Sequence, residues 1–124
     1  MNTLCKEERL WGERIIANLF EHRASFFLSP YRVSWMKISR TVSFPSRFAV
    51  SVPKRRFKRA VKRNLIKRRT REAFRTNKQI LNAAVTGDTQ IHLMLVYASD
   101  RLLPYVTIDD SMKKILRHIA QQYV

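Results

Sequence analysis

Between Lys54 and Arg75 the chain places twelve of its 25 Lys and Arg residues against a single acid, Glu72, so these 22 positions carry a formal charge of +11. The other 102 residues together carry only +5. A segment charged this densely must lie at the surface, with at most one side on a core. Val61, Leu65, Ala73 and Ile80 fall near one side at a helical period, which predicts a long helix from about Lys58 to Leu81 with its basic residues turned outward. Pooling charge in this way builds a surface for a polyanion, because neutralised phosphates release their condensed counterions.

The remainder supplies a core. At 124 residues with no low-complexity tract and no internal repeat, the chain reads as one domain, residues 1–124, and a hydrophobic content of 45% supports a folded state despite a net charge of +16. Leu10, Ile15, Ile16, Leu19 and Phe20 recur on one helical face between Glu7 and His22. Tyr31, Val33 and Trp35 alternate with polar neighbours within 26–38, predicting a strand with a bend or edge at Pro30. Phe48, Val50 and Val52 alternate and stop at Pro53, a second strand. Gly87-Asp88 closes the loop after the basic helix, and the apolar run Ile91 to Ala98 suits a strand buried on both faces. Thr107-Ile108-Asp109-Asp110 resembles a capping box ahead of the stripe Met112, Ile115, Leu116, Ile119, Tyr123, so the chain ends in a helix. The order α-β-β-α-β-α makes an α+β sandwich, a small mixed sheet covered by helices.

On the basic helix Arg63, Lys67, Arg71 and Arg75 stand four apart and form a ridge, with Asn64 and Arg68 in a second row. Like charges so placed cost an isolated helix about 0.2–0.5 kcal/mol per pair, and solvation alone gives no reason to gather them. Cationic groups about 6 Å apart along a helix match the phosphates of a nucleic-acid strand in broad terms. Arg can grip phosphate bidentately, and Asn64 can hydrogen-bond a base or a 2′-hydroxyl. Lys54, Arg55, Arg56 and Arg59 extend the positive surface ahead of the helix.

The stretch from Val52 to Arg75 resembles the signature of the protein subunit of bacterial ribonuclease P, a basic helix with an Arg-Asn-Arg core followed by Lys-Arg and Arg-Glu at fixed offsets. Arg63 and Asn64 take the first two core positions, Lys67-Arg68 the basic pair and Arg71-Glu72 the closing pair. Leu65 stands third in the core, where the family usually has Arg, and on the helical projection it falls with Val61 and Ala73 on the apolar side. The first helix is similar to the family's pair of apolar or aromatic positions four apart, here Ile16 and Phe20, the first of which is usually Phe. The resemblance implies a leader cleft, lined by Ile16 and Phe20, between the first helix and the sheet. It also implies a left-handed crossover between the strands flanking the basic helix, against the usual right-handed preference. Finally, it implies that the chain is a subunit of an endoribonuclease holoenzyme. Its partners would be a catalytic RNA and precursor tRNA, with magnesium held mainly by the RNA and the substrate.

The residues themselves offer no site for protein-based hydrolysis. The acids outside the basic helix are scattered, Asp109 and Asp110 read as charges favouring a helix N-terminus, and His22, His92 and His118 have no mutual spacing that marks a site. His92, inside an apolar run, reads as a satisfied core residue. One cysteine, Cys5, excludes an internal disulfide, and no apolar run is long enough to span a bilayer, so the expectation is a soluble, cytoplasmic protein without a membrane partner. The same charge and size also suit a non-catalytic RNA-binding protein of another ribonucleoprotein, such as the ribosome.

Overall fold

The computed structural model describes residues 24–39, 46–85 and 89–123. The strand that the composition of 26–38 predicts is a hairpin, β1 (Ala24–Leu28) and β2 (Tyr31–Ser39), turning at the cis-linked Ser29-Pro30. Leu28 pairs with Tyr31, so the turn is as tight as a hairpin allows. Pro30 therefore ends one strand and starts the next. Then follow β3 (Ser46–Ser51), the basic helix α1 (Ala60–Asn82), β4 (Thr89–Tyr97) and α2 (Tyr105–Tyr123). The first helix of the expected order lies outside the described residues.

The sheet order is β1-β2-β4-β3, with β1–β2 and β2–β4 antiparallel and β3–β4 parallel, the mixed sheet that the sequence predicts. The crossover between β3 and β4 carries α1. β4 is central, and Gln90 to Leu95 are buried without a break, as a strand covered on both faces requires.

Alternation sorts the two faces. Tyr31, Val33 and Trp35 of β2, Phe48 of β3 and Ile91, Leu93, Leu95 and Tyr97 of β4 share one face and one cluster with Ile66, Ala73, Phe74 and Leu81 of α1 and with Ile108, Met112, Ile115, Leu116 and Ile119 of α2. Burying each such side chain contributes about 1.5–3 kcal/mol. Phe48 and Phe74 stack at 4.4 Å with planes 4° apart, fixing the middle of α1 over β3. The opposite face holds a small cluster of Met94 with Met36, Ala49 and Val96.

Two details of the helices correct the sequence reading. The buried stripe of α1 is Ile66, Thr70, Ala73, Phe74, Asn77 and Leu81, whereas Val61 is 78% exposed and Leu65 only half-buried. The periodicity misleads because two members of the real stripe are polar. Thr70 Oγ1 donates to the Ile66 carbonyl (2.8 Å) and meets Tyr31 Oη at 2.6 Å, and Asn77 Nδ2 donates to the Ala73 carbonyl and to Asp109 Oδ1 of α2. Similarly, α2 starts at Tyr105, after Pro104, so Thr107 lies inside the first turn and is no N-cap. Asp109 and Asp110 sit one turn further in and pair with Lys113 (3.1 Å) and Lys114 (3.3 Å).

Candidate nucleic-acid interface

The basic surface starts where β3 runs out. Buried Val52 and Phe57 anchor a turn closed by the Arg56 N–H donating to the Pro53 carbonyl, and Lys54 and Arg55 stand exposed at its tip. Arg56 folds back. Its Nη1 donates to Asp100 Oδ1 at 3.1 Å, tying the turn to the loop after β4. Helix α1 then begins with Arg59 as an extended N-cap that has no side-chain capping bond, and its first turn has no acid. The positive end of the helix dipole and its unpaired N–H groups thus face cationic surroundings, the reverse of what an isolated helix prefers. An anion arriving from outside satisfies both.

Along α1 the basic residues divide by use. Arg63 is half-buried, and its Nη1 donates to the carbonyls of Phe57 (2.7 Å) and Lys58 (2.8 Å), holding the entry loop against the first turn. Arg69 donates through Nη1 to the Leu103 carbonyl at 2.6 Å, clamping the segment that leads into α2. Arg75 grips Glu72 with two hydrogen bonds, Nε to Oε2 at 2.9 Å and Nη2 to Oε1, which hold the Glu72 carboxyl below its ordinary range. Arg59, Asn64 and Arg68 are exposed, and Lys67 and Arg71 are half-buried.

The ridge predicted from Arg63, Lys67, Arg71 and Arg75 is a row that winds. Four residues overshoot one turn by about 40°, so the row starts beside the core at Arg63 and reaches the outer side at Arg75. Asn64, Arg68, Arg71 and Arg75 face away from the stripe of Ile66, Thr70 and Ala73. Lys54, Arg55, Arg59, Lys67 and Arg68 enter no ion pair among the described residues. The four acids of those residues, Glu72, Asp100, Asp109 and Asp110, are each paired with a neighbouring cation. Among the described residues four acids face far more cations, so the outward charge of α1 suits an external polyanion.

Ile16 and Phe20, the predicted leader-cleft residues, lie outside the described residues. His92 belongs to the folded sheet. His92 is 5% exposed, with Nε2 3.3 Å from Gln90 Oε1, and burial together with the charge of Arg47 pushes its pKa down to about 4. Among the described residues no three His, Cys, Asp or Glu side chains come together as a metal cluster would require, and no helix is long and apolar enough to cross a membrane. Sequence reasoning missed the structural uses of Arg56, Arg63 and Arg69; an Arg that will bond a distant carboxylate, as Arg56 does, or a backbone carbonyl, as Arg63 and Arg69 do, carries no mark in the sequence.

The family model described as Ribonuclease P matches residues 4–120. The chain belongs to the ribonuclease P protein family. A ribonuclease P protein component from Porphyromonas gingivalis is 40% identical over 119 residues, covering 94% of this chain and 86% of the relative. Another, from Chlorobaculum tepidum, is 33% identical over 105 residues, covering 77% of this chain and 68% of the relative. The fold agrees as well. The RNase P protein of Staphylococcus aureus superimposes with a TM-score of 0.71 at 19% identity, over 90% of this chain and 94% of that one. That of Thermotoga maritima gives 0.71 at 20% identity, over 90% and 96%. Leu65, at the position where the family resemblance leads one to expect Arg, is half-buried and lies outside the buried stripe.

Proposed function

We propose that this member of the ribonuclease P protein family binds the catalytic RNA through α1 and its entry turn and holds the 5′ leader of precursor tRNA beside the cleavage site. The observation that carries the reading is the outward face of α1, where Asn64, Arg68, Arg71 and Arg75 lie opposite the core-facing stripe, continued by exposed Lys54, Arg55 and Arg59. Arg68 and Arg71 supply charge for phosphate oxygens, and Asn64 supplies a donor and an acceptor for a base edge or a 2′-hydroxyl. Lys67 adds charge on the flank. Arg63 holds the entry loop in place and presents its remaining N–H groups to RNA. Arg56 contributes through the loop it anchors, and Arg75 through a guanidinium shared with Glu72. Ile16 and Phe20 line the leader cleft in this reading, Phe20 by stacking on a base.

The phosphodiester bond is cleaved by groups of the RNA. The carboxylates of the described residues are already engaged by cations, which leaves them poorly placed to take a divalent ion. Magnesium is held by RNA and substrate phosphates, and the protein lowers the magnesium requirement by fixing positive charge nearby. The place of action is the cytoplasm, where precursor tRNA is met.

Cleavage of a precursor tRNA by the cognate catalytic RNA at low magnesium, with and without the protein, tests this reading. Marked stimulation that is lost on replacing Arg68 and Arg71 with Ala supports it. Intact RNA binding with no stimulation would assign the chain to a different ribonucleoprotein.

A further inference from the structure

The loop between β4 and α2 is fixed from within. Tyr97, fully buried at the end of β4, donates its hydroxyl to the Arg101 carbonyl at 2.7 Å and accepts from the Leu103 N–H at 3.4 Å. The Arg101 N–H donates to Ser99 Oγ at 3.1 Å. Both backbone groups of Arg101 are thus committed inside the loop, and its exposed side chain is what the loop presents outward. Asp100, the acid next to it in the chain, is taken by Arg56 at 3.1 Å, and Arg101 enters no ion pair among the described residues.

The same loop is fastened to the basic helix at two places. Arg56 in the entry turn holds Asp100, and Arg69, further along α1, holds the Leu103 carbonyl at 2.6 Å. Arg101 and Leu102, between these anchors, therefore pass alongside the N-terminal half of α1, on the flank where Leu65 and Arg69 stand one turn apart. That flank offers little charge of its own. Leu65 is apolar and half-buried, and the Arg69 guanidinium is turned to the Leu103 carbonyl. Arg101 brings a cation there from a second element.

We propose that Arg101 is a contact for the catalytic RNA, neutralising a phosphate that passes over Leu65, so that the interface spans α1, its entry turn and the loop after β4. The occupant is a polyanion because Arg101 continues the surface of Lys54 and Arg55 across the Arg56–Asp100 bond, and that bond leaves no acid beside it to balance the charge. A guanidinium carried on a fixed backbone also loses less freedom when it grips a phosphate. The contact rests on the proposed binding of the catalytic RNA through α1, and adds a second wall to it.

The full chain is titrated onto the cognate catalytic RNA by filter binding across a salt series, unsubstituted and as Arg101→Ala, Leu65→Arg and the double variant. Arg117→Ala, at an exposed position on α2, measures the effect of net charge alone. Arg101→Ala should lower the slope of log K against log salt by about 0.7–0.9, Arg101→Lys should keep it, and Arg117→Ala should change it much less. Leu65→Arg should restore the slope in the Arg101→Ala background and add little to the unsubstituted protein, because the two guanidinium groups would serve one phosphate and their effects would not add. An unmoved slope in Arg101→Ala, a loss no larger than that of Arg117→Ala, or a Leu65→Arg gain equal in both backgrounds overturns the contact. Arg68→Ala in the same series keeps the two readings apart. Slope lost there but kept in Arg101→Ala removes the loop alone, whereas slope kept in both removes the RNA-binding role of α1 as well.

Discussion

The hydroxyl of Tyr31 lies 2.6 Å from Thr70 Oγ1, a buried link from the sheet to the centre of the basic helix. The Thr70 hydrogen is committed to the Ile66 carbonyl at 2.8 Å, so Tyr31 must donate. Both residues are fully buried, and burial drives the phenol's pKa far above its ordinary value. The two ends of the bond are therefore unequal. Thr70→Val strands a buried O–H donor and should cost about 1–3 kcal/mol, whereas Tyr31→Phe leaves Thr70 with its helix bond and should cost about 0.5–1.5 kcal/mol. The double variant should be less destabilised than the sum of the singles. Urea unfolding of the four proteins measures this, and equal single losses that add would show that the bond does not form in solution.

Arg63 and Arg68 predict opposite profiles. Arg63 holds the carbonyls of Phe57 and Lys58, so Arg63→Ala should lower stability by about 1 kcal/mol as well as weaken RNA binding. Arg68 is exposed, and Arg68→Ala should change stability by no more than about 0.5 kcal/mol while lowering the slope of log K against log salt by about 0.7–0.9. Urea midpoints and filter binding across a salt series separate the two effects. A salt slope unmoved by Arg68→Ala would take that residue out of the interface.

Much of this was open to sequence reading, and the failures have one cause. Strong alternation around Phe48 and the unbroken apolar run of β4 locate their strands, and the charge density of 54–75 locates the outward helix. Where polar groups are buried the pattern inverts. Thr70 and Asn77 belong to the core stripe of α1 because their side chains bond backbone carbonyls and partners on β2 and α2, while Val61, apolar by type, is exposed. The capping motif at Thr107 fails for a related reason: Pro104 precedes a helix that is already under way by Thr107. For the interface, residue type reveals the charge but not its commitments, which is why Arg56, Arg63 and Arg75 read like Arg68.

His92 gives the fold a defined acid response. It is buried on β4, with Arg47 opposite it on β3, Met36 opposite it on β2 and Gln90 two residues away on its own strand. Burial first, and then the Arg47 charge, lower its pKa from 6.5 to about 4, so the folded protein keeps the ring neutral. The unfolded chain protonates it near the ordinary value of about 6.5. Between these two pKa values the unfolded state binds the extra proton, and stability therefore falls as pH drops from about 6.5 towards 4, by at most about 1.4 kcal/mol per pH unit. Above pH 6.5 the group contributes no slope. His92→Gln removes the titration while keeping a polar side chain near Gln90, and the carboxylates titrate alike in both proteins. The stability difference between the two, from denaturant unfolding at pH 7, 6, 5 and 4.5, about the window set by the two pKa values, should shift steadily in favour of the variant as pH falls. A difference that stays constant over the range would mean that the ring takes up its proton without leaving the folded sheet.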